Sequence, residues 1–286
     1  QQQRPQQPPQ QGQRQPPAKE LVPDVGAIVA VASGKGGVGK STVSINLAMA
    51  LLAKGLKVGL LDADIYGPSM PKMLGVYGRP DSEDGNILEP KENYGLKCMS
   101  IGFLVAEDTP MIWRGPMVMS AIEQLLRDVN WGTLDIMVVD LPPGTGDAQL
   151  TMAQRVPLTG AIIVSTPQDI ALLDARKGLN MFRKVEVPVL GIIENMSYFA
   201  CPHCGERTDI FSHGGAKATA EEMGADFLGE IPLDMAIREA SDAGKPITAA
   251  DPDNPHSQAF MAIADQVWEK AQALKGDSQG PKIVVQ

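Results

Sequence analysis

Gly34-Lys35-Gly36-Gly37-Val38-Gly39-Lys40-Ser41-Thr42 concentrates two lysines, four glycines and two hydroxyls in nine consecutive residues. The spacing G-x-x-x-x-G-K-[ST] is that of a phosphate-binding loop, provided a strand precedes it and a helix follows. Glycines let backbone N–H groups turn inward around an anion, and a helix N-terminus adds its positive end. Lys40 is placed to reach the β- and γ-phosphates of a nucleoside triphosphate, and the Ser41 hydroxyl to ligate Mg²⁺. Lys35 is the unusual member, because an ordinary loop of this kind needs no lysine there.

Two acidic strand ends accompany the loop. Leu60-Leu61-Asp62-Ala63-Asp64 ends an apolar run in two carboxylates. Residues i and i+2 of a strand share a side, so Asp62 and Asp64 can both face Mg²⁺ and an attacking water. Val138-Val139-Asp140 followed by Leu141-Pro142-Pro143-Gly144-Thr145-Gly146 reads as a Walker B strand. Asp140 would hold Mg²⁺ through a water, and the glycine-rich turn would sense the γ-phosphate.

A second chemistry is written in Cys201-Pro202-His203-Cys204-Gly205, a C-x-x-C pair in a loop after a strand. Residue types alone leave several readings open. The pair suits a zinc knuckle completed by His203, His213 or a partner chain. It also suits thiol–disulfide exchange, although the thioredoxin-like pattern such a motif requires is not visible. It could equally be a solvent-facing turn. Cys98, in an apolar strand, reads as a small core hydrophobe, and His213 and His256 read as solvated loop residues.

The elements that must position these groups follow from the apolar pattern. Strands are expected at 27–33, 57–62, 97–102, 134–140, 160–166, 188–194 and 226–229. Helices are expected at 41–54, 116–128, 147–155, 169–183, 214–223, 234–243 and 256–274. Strands as wholly apolar as Ile136-Met137-Val138-Val139 belong in a parallel sheet covered on both faces. Their alternation with helices predicts an α/β doubly wound, mostly parallel sheet flanked by helices, with its chemistry at the carboxyl ends of the strands. Residues 22–275 make this domain, with the cysteine loop near 198–213. Residues 1–21 read as a disordered linker, since 1–17 hold nine Gln and five Pro and cannot bury enough surface to fold. Residues 276–286 read as a tail. A chain opening on glutamine reads as a piece of a longer protein.

Composition bounds the function. At 286 residues with 43% hydrophobic content the chain can bury a large core, yet no apolar run approaches a membrane span. A net charge of −9 argues against nucleic-acid binding, which demands clustered Lys and Arg. The last helix carries an apolar stripe of Phe260, Ile263, Ala264, Val267, Ala271 and Leu274 without a basic face, so it is expected to dock on the sheet, not on lipid. Three cysteines make no disulfide framework, and a cytoplasmic location is expected.

The loop Gly34–Thr42 resembles the deviant Walker A of the ATPase superfamily that includes nitrogenase iron protein and the septum-site and chromosome-partitioning ATPases. Within it, Asp62-Ala63-Asp64-Ile65-Tyr66-Gly67-Pro68-Ser69, Trp113-Arg114-Gly115-Pro116, the run Trp131 to Asp147 and Glu194-Asn195-Met196-Ser197 are similar to the Mrp/ApbC family of iron–sulfur cluster carriers. The resemblance spans roughly residues 25–270. It implies an ATP-hydrolysing homodimer in which Lys35 reaches the partner's nucleotide, as an arginine finger does. Asp64 would position the water, Asp62 would sit near the metal, and Asn195 would read the adenine edge. Cys201 and Cys204 of two protomers would together bridge a [4Fe–4S] cluster and pass it to apo iron–sulfur acceptor proteins; Cys₄ is the usual ligand set for such a cluster. Neither nucleic acid nor membrane would be a partner. The other readings are a positioning or partitioning ATPase acting on membrane or DNA, and a zinc or nickel metallochaperone.

Overall fold

The computed structural model describes residues 21–65, 67–82, 85–104 and 115–277. Residues 1–20 of the expected linker (1–21), residues 278–286 of the expected tail (276–286), Tyr66, Trp113 and Arg114 lie outside the described residues.

Near-continuous apolar runs form the centre of the sheet. β1 (Val25–Ala32), β5 (Leu134–Asp140) and β6 (Gly160–Ser165) lie side by side, with β1 in the middle. Outside β6 come β7 (Val189–Asn195) and then β10 (Phe227–Ile231). Outside β5 come β2 (Val58–Asp62), β4 (Leu96–Ser100) and β3 (Lys91–Asn93). All neighbours run parallel except the β3–β4 edge pair. The order reverses at β1, whose two parallel neighbours come later in the chain, and such a switch point is where doubly wound sheets bind ligands.

Two groups of helices cover the sheet. One contains α1 (Lys40–Ala53), α2 (Met70–Leu74), α7 (Met235–Asp242), α8 (Ile247–Ala250) and α9 (Pro255–Asp277). The other contains α3 (Gly115–Arg127), α4 (Asp147–Arg155), α5 (Asp169–Lys184) and α6 (Gly215–Glu222). α1 is apolar around most of its circumference, as a helix buried between a sheet and another helix must be; α9 packs across it. Phe260, Ile263, Ala264, Val267 and Ala271 of α9 are all buried, so this helix docks on the body as its stripe predicts. None of the described helices is long and apolar enough to cross a membrane.

The doubly wound fold expected from the alternation is present. Among the described residues the unexpected elements are α2, α8, β3, a 3₁₀ turn at Ile101–Phe103 where the strand was expected to run on to 102, and a separate two-stranded hairpin of β8 (Phe199–Ala200) and β9 (Arg207–Thr208). All are short, and so carry too few residues for an apolar period.

Candidate functional site

The loop after β1 takes the conformation its glycines were expected to allow. Gly37 and Gly39 have φ of 80° and 79°, the left-handed region that glycine enters without steric cost. Gly34 is needed for another reason: a Cβ there would lie 2.3 Å from the Asp174 carbonyl of α5. Gly36 faces open space. α1 begins directly after Gly39 with no side-chain cap on its first N–H groups, which leaves them for an anion.

Lys40, Ser41, Asp64 and Asp140 meet at the carboxyl ends of the strands. The Lys40 ammonium is 2.8 Å from Asp140 Oδ2 and 3.6 Å from Asp64 Oδ2. Ser41 Oγ donates to Asp140 Oδ2 at 2.6 Å. Ser44, one helical turn on, donates to Asp140 Oδ1 at 2.6 Å and is fully buried. Thr42 stands at the helix start, where its carbonyl accepts from Asn46. Lys35 is half-buried and takes part in none of the ion pairs found among the described residues.

Asp62 and Asp140 are direct partners in the β2–β5 register. Burial, reinforced by the charge of Asp140, pushes Asp62 up to about 7. Ser100 Oγ at 2.8 Å and the backbone N–H groups of Met70 and Asp64 bond its two oxygens. An all-oxygen set of serine hydroxyl and carboxylates is the chemistry that suits Mg²⁺. Ser44 and Ser100 were missed in the sequence because nothing local separates them from ordinary serines.

Asn195, at the end of β7, donates from Nδ2 to the Val38 carbonyl at 2.8 Å. A Cβ on Gly39 would lie 2.2 Å from the same nitrogen. The asparagine is thus a strut under the phosphate loop. Met196 follows at φ 54°, a left-handed turn that brings Ser197 back against Glu194.

Cys201 and Cys204 sit at the tip of the β8–β9 hairpin, half-buried and exposed respectively, and both are free thiols. Gly205 N–H donates to the Cys201 carbonyl at 2.8 Å, with Gly205 at φ 74°. Backbone N–H groups of His203 and then Cys204 bond the Cys201 sulfur and hold its thiol below the ordinary value. Such a backbone cradle favours the thiolate of Cys201. Cys98 is buried, and burial pushes its thiol up to about 12.

His213 is an exposed loop residue, but it has partners. It lies with Glu194 and Glu230, their ligand atoms all within 4.8 Å of one another. Neither cysteine belongs to that group, so His213 is engaged away from the thiols. His256 likewise faces Asp234 at 3.2 Å.

A family model described as the NUBPL iron-transfer P-loop NTPase, within the ParA group, matches residues 24–268. The iron-sulfur cluster transfer protein NUBPL of Dictyostelium discoideum is 53% identical over 281 residues, covering 96% of this chain and 87% of its own. The iron-sulfur cluster carrier protein of Haemophilus influenzae is 56% identical over 241 residues, covering 84% of this chain and 65% of its own. Among solved structures, a nucleotide-binding protein from Archaeoglobus fulgidus in complex with ADP is 41% identical, with a TM-score of 0.71 over 82% of this chain and 91% of that one.

Proposed function

The chain belongs to the NUBPL iron-transfer family of P-loop NTPases, and on that footing we propose that it is a homodimeric ATPase that carries a [4Fe–4S] cluster between two Cys201/Cys204 pairs. The observation that carries this reading is the knuckle: two free thiols at the tip of a hairpin whose base continues directly from the strand that braces the phosphate loop.

ATP binds with its phosphates in the Gly34–Thr42 loop and at the start of α1. Lys40 leaves its carboxylate partners and pairs with the β- and γ-phosphates, an exchange of one anion for another. Ser41 and Asp140, with Asp62 beside them, would hold Mg²⁺, which when bound neutralises charge on the phosphate oxygens. Asp64 accepts a hydrogen bond from the water that attacks the γ-phosphorus, while the bond to the β–γ bridging oxygen breaks. Asn195 Oδ1 meets the adenine edge.

One protomer offers only the Cys201/Cys204 pair, Cys98 being buried, and a [4Fe–4S] cluster takes four thiolates. A two-fold axis supplies the second pair. The surface beside the loop supports such a dimer. Ile170 and Leu173 of α5 are 70% and 58% exposed, next to the Asp174 that packs on Gly34, and Lys35 stands on the same loop ready for a partner's nucleotide. The cluster is cargo, delivered to apo iron–sulfur acceptor proteins. The cytoplasm is the proposed compartment, checked by fractionation.

Iron, sulfide and zinc per protomer after anaerobic reconstitution test the reading. About two irons and two sulfides per protomer, lost in Cys201→Ala/Cys204→Ala, are expected for one cluster shared by a dimer. Stoichiometric zinc without an iron chromophore would overturn it in favour of a zinc knuckle.

A further inference from the structure

The hairpin that carries the cysteines has little of its own to hold it in place. Each strand is two residues long, paired Phe199 with Thr208 and Ala200 with Arg207, and an isolated two-stranded hairpin is marginal in water. Four thiolates can converge on one cluster only if each pair is held in a fixed direction. Something must therefore fasten this hairpin to the domain.

One side chain reaches from the hairpin across to the main sheet. The Arg207 guanidinium lies over the Tyr198 ring, 3.8 Å from its centroid. Its Nη2 is 2.7 Å and 3.0 Å from the two ring nitrogens of His213. Its Nη1 is 3.5 Å from Glu230 on β10, and its Nε is 3.3 Å from Asp209. Tyr198 itself is pinned to the body, its carbonyl accepting from Leu233 N–H at 2.7 Å.

Behind the groups that Arg207 meets lies a buried carboxylate with several hydrogen-bond partners. Glu194 has no exposed surface. It accepts from Ala216 N–H at 2.7 Å and Gly214 N–H at 3.1 Å at the start of α6, and from Ser197 Oγ at 2.6 Å. Ser197 Oγ is also 3.1 Å from both Glu230 Oε2 and His213 Nδ1. Glu194 is the neighbour of Asn195, the strut under the phosphate loop. A cation set between Glu230 and the His213 ring engages the guanidinium fork on two sides, and a planar stack on tyrosine is a contact that lysine cannot reproduce.

We propose that Arg207 is the positioning residue of the cysteine pair, clamping the β8–β9 hairpin to Tyr198, His213 and Glu230 so that Cys201 and Cys204 point in one direction. The cluster-holding consequence rests on the function proposed above; the clamp itself does not.

The test compares wild type, Arg207→Ala, Arg207→Lys and Asp209→Ala, first by amide hydrogen exchange of the protein without cluster. Arg207→Ala is expected to speed exchange at Cys201 and Gly205 on the order of tenfold, the combined size of one cation–π contact and an exposed ion pair. Exchange in β1 and α1 should not move, which excludes global unfolding as the cause. Arg207→Lys should recover part of the protection, and Asp209→Ala should match wild type, since Asp209 directly follows β9 and ties Arg207 to its own segment, not to the main sheet. On reconstituted protein, a chelator should strip iron several-fold faster from Arg207→Ala, and the visible and paramagnetic spectra of its cluster should broaden. Unchanged hairpin exchange in Arg207→Ala, or full protection in Arg207→Lys, would overturn the clamp as described. If wild type holds no cluster, the proposed function fails while the exchange comparison still decides the clamp.

Discussion

Ser44→Ala removes a single hydroxyl from the first turns of α1 and asks whether Asp140 is held by its buried neighbours. Ser44 Oγ donates to Asp140 Oδ1 at 2.6 Å, and neither side chain has exposed surface. A hydrogen bond to a charged acceptor contributes about 1.5–3 kcal/mol. Against this, alanine in place of serine inside a helix gains at most ~0.5 kcal/mol of propensity. The net loss is about 1–2.5 kcal/mol. With an m-value of ~3 kcal/mol/M, the urea midpoint falls by about 0.3–0.8 M. Asp140 Oδ2 keeps Ser41 and Lys40, so the carboxylate stays in the site but gains freedom to rotate. Loss of such a supporting bond raises the Mg²⁺ needed for half-maximal hydrolysis by ~10-fold or more. Urea melts without nucleotide and a Mg²⁺ titration of phosphate release measure the two effects. An unmoved midpoint together with an unchanged titration would refute the reasoning.

Lys35→Ala should keep ATP binding but lose hydrolysis and nucleotide-dependent dimerisation; unchanged turnover would remove Lys35 from the chemistry. Asn195→Ala leaves the buried Val38 carbonyl without its donor, and should cost about 1–3 kcal/mol in thermal or urea unfolding of the nucleotide-free protein; an unmoved transition would dismiss the strut. Asp62 has its folded pKa pushed above the ordinary carboxylate value of 3.8 to about 7. As pH rises the unfolded chain therefore releases this proton first, so the residue's contribution to stability falls between about pH 4 and 7 and is level above. In nucleotide- and Mg²⁺-free urea melts Asp62→Asn should lack that decline, and profiles that stay parallel across the window would contradict it. Iodoacetamide at neutral pH should label Cys201 and Cys204 and spare Cys98, whose thiol is pushed up to about 12; mass spectrometry showing native labelling of Cys98 would mean that its strand opens.

The phosphate loop, the acidic strand ends and the alternation of strands and helices were legible because each is a local matter. Gly37 and Gly39 supply left-handed backbone wherever they occur, and near-continuous apolar runs such as Ile136 to Val139 must be covered on both faces. The cysteine knuckle was legible for the same reason, since its turn closes within five residues, from Cys201 to Gly205. What supports these groups was not legible. Asn195 meets Val38 from 157 residues away, and Ser44 meets Asp140 from 96. Asp62 faces Asp140 because β2 and β5 pair in that register, and that juxtaposition adds to the burial that raises its pKa. His213 is an exposed loop histidine, as its sequence suggests, but only the folding of β10 and β7 brings Glu230 and Glu194 beside it. A consecutive run of residues specifies the conformation of its own backbone and which side of it must be buried. Which distant carboxylate, carbonyl or guanidinium then completes a hydrogen bond is set by strand order and register, and those exist only once the sheet has closed.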